Sequence, residues 1–243
     1  MDMPEPAALN QLGVRLFNGR LYNHDYLWFS SNEISGVSMS LPILHNYALS
    51  YALWDHFYAA SLSSTPHYEE DLACMLLYTT PGAAAEAGRT RITYNAIDDC
   101  ALRTDTGPEA NIPKLGSRIY LNPVYEQKNL PNPHGGYVFY AFTRDGLYPP
   151  GMTRLGKKRC PVRIRWEELV EPIARLEEQA KPTHLLNPLD IAPDAKVISF
   201  DVVSIPPHLL LRNATIANDW FIRKGRHCVH LPSRVGAWLE GRQ

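Results

Sequence analysis

The chain has 243 residues, 45% of them hydrophobic and 20% charged, with a formal net charge of −1, a balance that excludes a disordered chain and fits an ordinary soluble globular protein. No stretch approaches the roughly 18 uninterrupted apolar residues of a membrane span, and the start Met1-Asp-Met-Pro-Glu-Pro6 is acidic and proline-bearing, so a cytoplasmic location is expected. The small net charge conceals an uneven distribution: residues 1–110 carry 5 Lys/Arg against 13 Asp/Glu, and residues 111–243 carry 19 against 12, so the second half is the one suited to face phosphates.

Residues 1–12 read as a variable N-terminal extension. From 14 to 29 β-formers predominate, and Asn18-Gly19 is expected to make a turn or bulge inside an opening strand or hairpin. After Ser40, a favourable N-cap, apolar residues at Leu44, Tyr47, Ala48, Tyr51, Leu53, Trp54 and Tyr58 follow the helical period, with Pro42 placed in the first turn. Residues 72–80 and 91–95 are strand-like, and Pro81-Gly-Ala-Ala-Ala85 between them reads as a loop.

Residues 104–133, rich in Pro, Gly and Asn, are expected to form a loop-rich insertion with one short β-like run at 118–121. Residues 136–143 form an aromatic strand and 160–166 another, with basic residues at alternate positions. The pattern over 166–180 predicts a helix in which Glu171 and Arg175 pair at i,i+4 and Pro172 introduces a kink. Lys196–Val203 and residues 209–223 are expected as closing strands, with Pro206-Pro207 at the turn. Strands and a few helices interspersed, without regular β-then-α alternation or glycine loops, predict an α+β fold with a mainly antiparallel sheet in a single elaborated domain.

The densest chemical signal is Met152-Thr-Arg-Leu-Gly-Lys-Lys-Arg-Cys-Pro-Val-Arg-Ile-Arg165. It holds Arg154, Lys157, Lys158, Arg159, Arg163 and Arg165, six cations and no acid in 14 residues. Arginine grips phosphate with paired donors, lysine supplies a point charge, and Gly156 permits close backbone approach; the alternative use is a solvated basic face. Gly136, Tyr137, Phe139 and Phe142 partly match the base-stacking strand of an RNA-recognition motif, although a buried core strand accounts for the same residues better.

His24 with Asp25, or His45 with Tyr47, could be cast as acid–base pairs for RNA cleavage, but His45-Asn46 opens a helix, where polar residues commonly cap. His227-Cys-Val-His230 places Cys228 and His230 on one strand face with no matching pair elsewhere, and Asp98-Asp99 is a lone acidic pair; structural or solvated roles are expected for both. Cys74, Cys100, Cys160 and Cys228 lie far apart and read as reduced, buried thiols. No cofactor or metal is expected.

Several stretches together resemble the Csc-one family, the Cas-five-type subunit of type I-D CRISPR Cascade. The most specific are His24-Asp-Tyr-Leu-Trp-Phe-Ser-Ser-Asn-Glu-Ile34 and Leu44-His-Asn-Tyr-Ala-Leu-Ser-Tyr-Ala-Leu53; Tyr68-Glu-Glu-Asp-Leu72, Leu77-Tyr-Thr-Thr-Pro81, Thr93-Tyr-Asn-Ala96, Asn111-Ile-Pro-Lys-Leu-Gly116, Arg154-Leu-Gly-Lys-Lys158, Asn187-Pro-Leu-Asp190 and Ile205-Pro-Pro-His-Leu-Leu210 extend the likeness over nearly the whole chain. The resemblance implies an RNA-recognition-motif-like (ferredoxin-like) RAMP core elaborated with extra strands and a protruding loop or thumb. It further implies a non-catalytic subunit that caps the 5′ handle of crRNA, contacts the backbone and large subunits, and helps position target double-stranded DNA near the flanking motif in antiviral defence. Arg154, Lys157, Lys158, Arg159, Arg163 and Arg165, with His45 and Asn46, are the candidate RNA contacts. An endoribonuclease acting on precursor RNA through His24, His45 or Tyr47, and a structural adaptor that touches no RNA, are the competing expectations.

Overall fold

The β-rich segment after Gly13 forms one unbroken ten-residue strand, Val14–Asn23, and the largest sheet is built on it. The computed structural model describes residues 6–34, 37–54, 67–96, 114–124 and 136–240. Tyr137–Arg144 pairs with one side of this central strand and Cys160–Glu168 with the other, both antiparallel. Gly82–Ala84 and Ile43–Leu44 extend one edge and Met152–Leu155 the other, while Leu77–Thr79 also pairs with Tyr137–Arg144.

The expected turn at Asn18-Gly19 does not occur. Both residues stay in register, opposite Tyr140 and Phe139 on one side and Glu167 and Trp166 on the other. Glycine serves here to make room: a Cβ would stand 2.5 Å from Trp166 Cζ3 and 3.0 Å from Phe139 Cζ.

The aromatic strand is buried on both faces. Tyr137 and Phe139 enter a cluster with Leu21, Leu49 and Ile164, whereas Tyr140 and Phe142 enter another with Leu16, Trp220 and Trp238. These rings are therefore core, and none is presented as a stacking platform. The Cys160–Glu168 strand alternates as expected, with Cys160, Val162 and Ile164 buried and Arg163 and Arg165 exposed, the pattern of a sheet with one dry face.

Three smaller sheets complete the described residues. Ala7–Ala8, Ile173–Glu177, Asp219–Lys224 and His227–His230 form one; Lys196–Val203 and Leu210–Ala217 form a two-stranded unit; Asn32–Ile34, Val37–Met39, Lys114–Leu121 and Arg89–Ala96 form the third, whose Val37–Met39/Lys114–Leu121 pair is parallel. Three α-helices, Asn46–Leu53, Tyr68–Cys74 and Ser233–Glu240, pack among them. The expected α+β class with mostly antiparallel sheet is thus found. No helix among the described residues is long and apolar enough to cross a membrane.

Several local expectations are corrected. Residues 166–180 are not helical: Glu171 takes φ 52°, and Ile173–Glu177 pairs with Asp219–Lys224, burying Ala174 completely. Glu177 pairs with Arg223 through two 2.6 Å bonds. Strand pairing there satisfies backbone groups that Pro172 would have left open in a helix.

The first helix starts at Asn46, capped by His45, whose Nδ1 accepts from the Tyr47 amide at 3.2 Å. Ser40 instead bonds both backbone groups of Phe29, and Pro42 precedes a short strand. Residues 68–74 are helical where a strand was expected to begin at 72, and Gly82–Ala84 is a strand rather than a loop. The single closing strand over 209–223 is two, broken at Asn218 (φ 56°). Within the segment read as a variable extension, Ala7–Ala8 pairs with Ile173–Ala174, and Leu9 is fully buried. Tyr58 and most of 104–133 lie outside the described residues, but the β-like run at 118–121 belongs to the longer strand Lys114–Leu121.

Candidate nucleic-acid interface

The six cations of the basic stretch lie on one hairpin. Met152–Leu155 and Cys160–Glu168 are its arms, and residues 156–159 its turn, with Gly156 (φ 75°) and Arg159 (φ 52°) both left-handed. Gly156 is required by space as well as conformation, because a Cβ there would meet the Trp28 carbonyl oxygen at 2.7 Å. All six, Arg154, Lys157, Lys158, Arg159, Arg163 and Arg165, are exposed.

Two groups result. Arg163 and Arg165 share the solvent face of their strand, Arg154 stands on the paired arm opposite Pro161, and Arg165 lies across from Arg20. Lys157, Lys158 and Arg159 occupy the tip. Arg154 is steadied by a 3.1 Å bond from its guanidinium to the Arg159 carbonyl. The basic face stops at Glu167, which follows Arg163 and Arg165 on it and accepts from Asn18 Nδ2 at 3.2 Å; on the other face Glu168 accepts from Arg15 Nε and Nη2 at 2.8 and 2.6 Å, which holds its carboxyl below the usual range.

The tip is pinned to an aromatic seam that the charge pattern did not reveal. The Lys157 amide donates to the Trp28 carbonyl at 3.0 Å, and its ammonium lies 5.2 Å from the Trp28 ring. The Arg118 guanidinium lies 4.4 Å from the same ring, and Tyr120 links Trp28 to Tyr26 at ring separations of 6.3 and 6.1 Å. Tyr26 and Trp28 flank Leu27, which bridges to Leu121, and Arg118 and Tyr120 share one strand face. That two-residue spacing in both segments was the available signal. The cations of this patch can bind phosphates, and Tyr26, 40% exposed, is the ring open to a base, since Trp28 is only 5% exposed.

His45 and Asn46 are placed differently from the cations. His45 is 4% exposed, and burial together with His208 holds its pKa down at about 4, against a weaker opposing pull from the His208 backbone. It is a neutral ring at physiological pH. With Phe29, Ile43, Lys157 and Ile205 it lines a cavity of about 160 Å3, so the structure does bring His45 to the basic tip.

Asn46 is fully buried. Its Nδ2 donates to Tyr78 Oη and Asp190 Oδ2, each at 3.0 Å, and its Oδ1 accepts from Asn187 Nδ2 at 3.2 Å. Burial raises the Asp190 carboxyl to about 6, although the Tyr78 and Asn46 donors oppose it. Asn46 thus acts as a strut joining the helix to the 187–190 turn, away from the solvent face that carries the six cations.

The remaining candidates disperse. His24 and Asp25 are exposed, and Asp25 Oδ1 caps the Tyr26 amide at 2.7 Å. Tyr47 meets the His45 ring edge-on, with centroids 5.0 Å apart, and burial raises its hydroxyl pKa. His230 forms a buried 2.8 Å pair with Asp219, His227 bonds Tyr140 Oη at 2.8 Å, and Cys228 packs in a core cluster, so this strand is used structurally. Cys160 is buried as well, but Cys74 is exposed, contrary to expectation; Asp98, Asp99 and Cys100 lie outside the described residues.

Stretches far apart in sequence, 24–34, 44–53, 154–158 and 205–210, all contribute to the His45–Lys157 cavity. They are among the stretches that carry the family resemblance. The family described as Type I-D CRISPR-associated protein Cas5/Csc1 matches residues 14–238, and no curated protein matches the chain.

Proposed function

The chain belongs to the type I-D CRISPR-associated Cas5/Csc1 family and is thereby a subunit of the type I-D Cascade; from that premise we propose that it binds and caps the 5′ handle of crRNA without cleaving it. The observation that carries this reading is the hairpin of six exposed cations joined at its tip to the Trp28 seam. Phosphates would run along Arg154, Arg163 and Arg165 towards Lys157, Lys158 and Arg159, releasing counterions as they bind. The environment of His45 supports the absence of catalysis: a ring with a pKa near 4, its Nδ1 committed to the Tyr47 amide, makes a poor proton shuttle at neutral pH.

Strand order supports a ferredoxin-like RAMP core. Cys160–Glu168, Val14–Asn23, Tyr137–Arg144 and Leu77–Thr79 lie side by side, which numbers them 4-1-3-2 in chain order, with helix Asn46–Leu53 between the first two. Residues 145–159 supply the first arm and the turn of the basic hairpin where that fold places its second helix. The Arg89–Ala96/Lys114–Leu121 pair, which carries Arg118, suits the role of a thumb. In this reading the subunit works in the cytoplasm for antiviral defence, contacts the backbone and large subunits, and lies near the flanking motif of target double-stranded DNA.

The test is the Arg154→Ala/Lys157→Ala double variant, co-expressed with the other subunits and a guide array, with ultraviolet crosslinking of the recovered complex. Crosslinks to the handle are expected to fall at least about tenfold, with subunit stoichiometry retained. Unchanged crosslinking, or recovery of guides with heterogeneous 5′ ends, would overturn the capping role.

A further inference from the structure

The two-stranded ribbon of Lys196–Val203 and Leu210–Ala217 is anchored through its inner strand. Leu211, Ala214 and Ile216 are buried with Ala180, Leu186 and Phe221, and bridges tie Leu211 to Leu186 and Ile216 to Ala180. The outer strand, Lys196–Val203, has no strand beyond it among the described residues, and seven of its eight residues are exposed.

Five of the thirteen large apolar side chains exposed among the described residues fall on this ribbon and its turn: Val197, Ile198, Phe200, Val202 and Leu209, with Ile198, Phe200 and Val202 at 55%, 50% and 58%. Apolar side chains scattered singly on a surface need no explanation, but a row of them along an open strand edge does. The usual protection is thin: the strand has no proline, its one lysine, Lys196, stands at the end, and Asp201 is engaged by Asn213 at 2.7 Å. Two register shifts flank Ser199 and bend the ribbon, yet the apolar side chains stay exposed.

The chemistry of the edge states what covers it. Open backbone amides and carbonyls call for another extended backbone. Residues 197–200 carry no charge, so the side chains facing them are apolar, and the exposed Lys196 calls for an acid at its end. Size narrows the choice further: a strip of eight residues is roughly 26 Å long and one strand wide, a few hundred Å2 at most, against the roughly 800 Å2 per partner of a stable free-standing interface. A second copy meeting the chain only along this edge is therefore disfavoured. A protein already tethered by other contacts needs no larger strip, and membership of the Cascade supplies such neighbours.

We infer that a neighbouring protein subunit of the Cascade docks on this ribbon by adding an extended, uncharged segment beside Lys196–Val203, with its apolar side chains set against Ile198, Phe200 and Val202 and an acid near Lys196. The inference rests on the reading that the chain contacts neighbouring subunits, to which it gives a surface and a chemistry, and is independent of crRNA capping.

The test compares guide-loaded complexes containing wild-type chain or Phe200→Thr/Val202→Thr, because threonine keeps strand propensity while removing apolar surface. Hydrogen exchange of amides 196–203 is expected to be about tenfold faster in the variant complex. In parallel, p-benzoylphenylalanine replaces Ile198, and photolysis of the assembled complex is expected to link it to one protein subunit, within a segment free of charge and apolar at alternate positions. Equal exchange in the two complexes, or crosslinks that go to guide RNA, to a second copy of this chain or to nothing, would overturn the ribbon as a docking strip. Failure of the wild-type chain to co-purify with any other protein subunit would overturn the neighbour contact itself, and the docking strip with it.

Discussion

Three buried residues shape how this protein responds to pH. Burial holds His45 down at about 4 and His184 at about 3, each below the value near 6.5 expected in an unfolded chain. The unfolded state therefore binds more protons, and the stability these rings contribute is whole above about pH 6.5 and is lost as pH falls towards their native values. Asp190, raised to about 6, works in the opposite sense, contributing most below its unfolded value and losing that contribution as pH rises through 6. Two imidazoles oppose one carboxyl, so the urea midpoint is expected to drop between pH 6.5 and 4, and less steeply in His45→Asn. Parallel pH profiles for the two proteins would refute the buried neutral state of His45. The residue types were visible in the sequence; that Asn46, Tyr78, Asn187 and Asp190 meet in one network was not, because Asn46 and Asp190 stand 144 positions apart.

At the level of elements, strands with a strong local residue pattern were the readable ones. Cys160–Glu168 announces itself by alternation, and Tyr137–Arg144 by its β-forming aromatic residues. Segment 166–180 misleads because its apolar residues fit a helical period, yet Val170, Ile173 and Leu176 all end exposed once Ile173–Glu177 joins a sheet. Asn18-Gly19 misleads in the same way, since a turn signature here marks a site of close packing. Gly19→Ala is accordingly expected to cost about 1–3 kcal/mol by overpacking Trp166 and Phe139, read as a lowered urea midpoint with unchanged m-value. A neutral result would mean that Trp166 can move aside.

Across the whole molecule, the charge asymmetry between halves becomes a surface. Six of the 19 cations in residues 111–243 gather on one hairpin, and its tip meets Trp28, which the acidic half contributes. Guide retention by the assembled complex is expected to weaken steeply with salt, and each cation removed from the hairpin should lower the slope of log affinity against log salt by about 0.7. Titration of wild type, Arg154→Ala and the double variant at several ionic strengths checks this; equal slopes would place the phosphates elsewhere.

The sequence by itself determined the α+β class, the aromatic and basic strands, the cation cluster and the family, because each is written in composition, short-range alternation or contiguous motifs. Tertiary structure alone decided that residues 166–180 pair as strands, that Leu9 completes a core, that Asn46 is sealed inside, and that His45 and Lys157 share a cavity with Phe29 and Ile205. These features depend on which distant segments exclude water together, and pairing of that kind leaves no periodic trace along the chain.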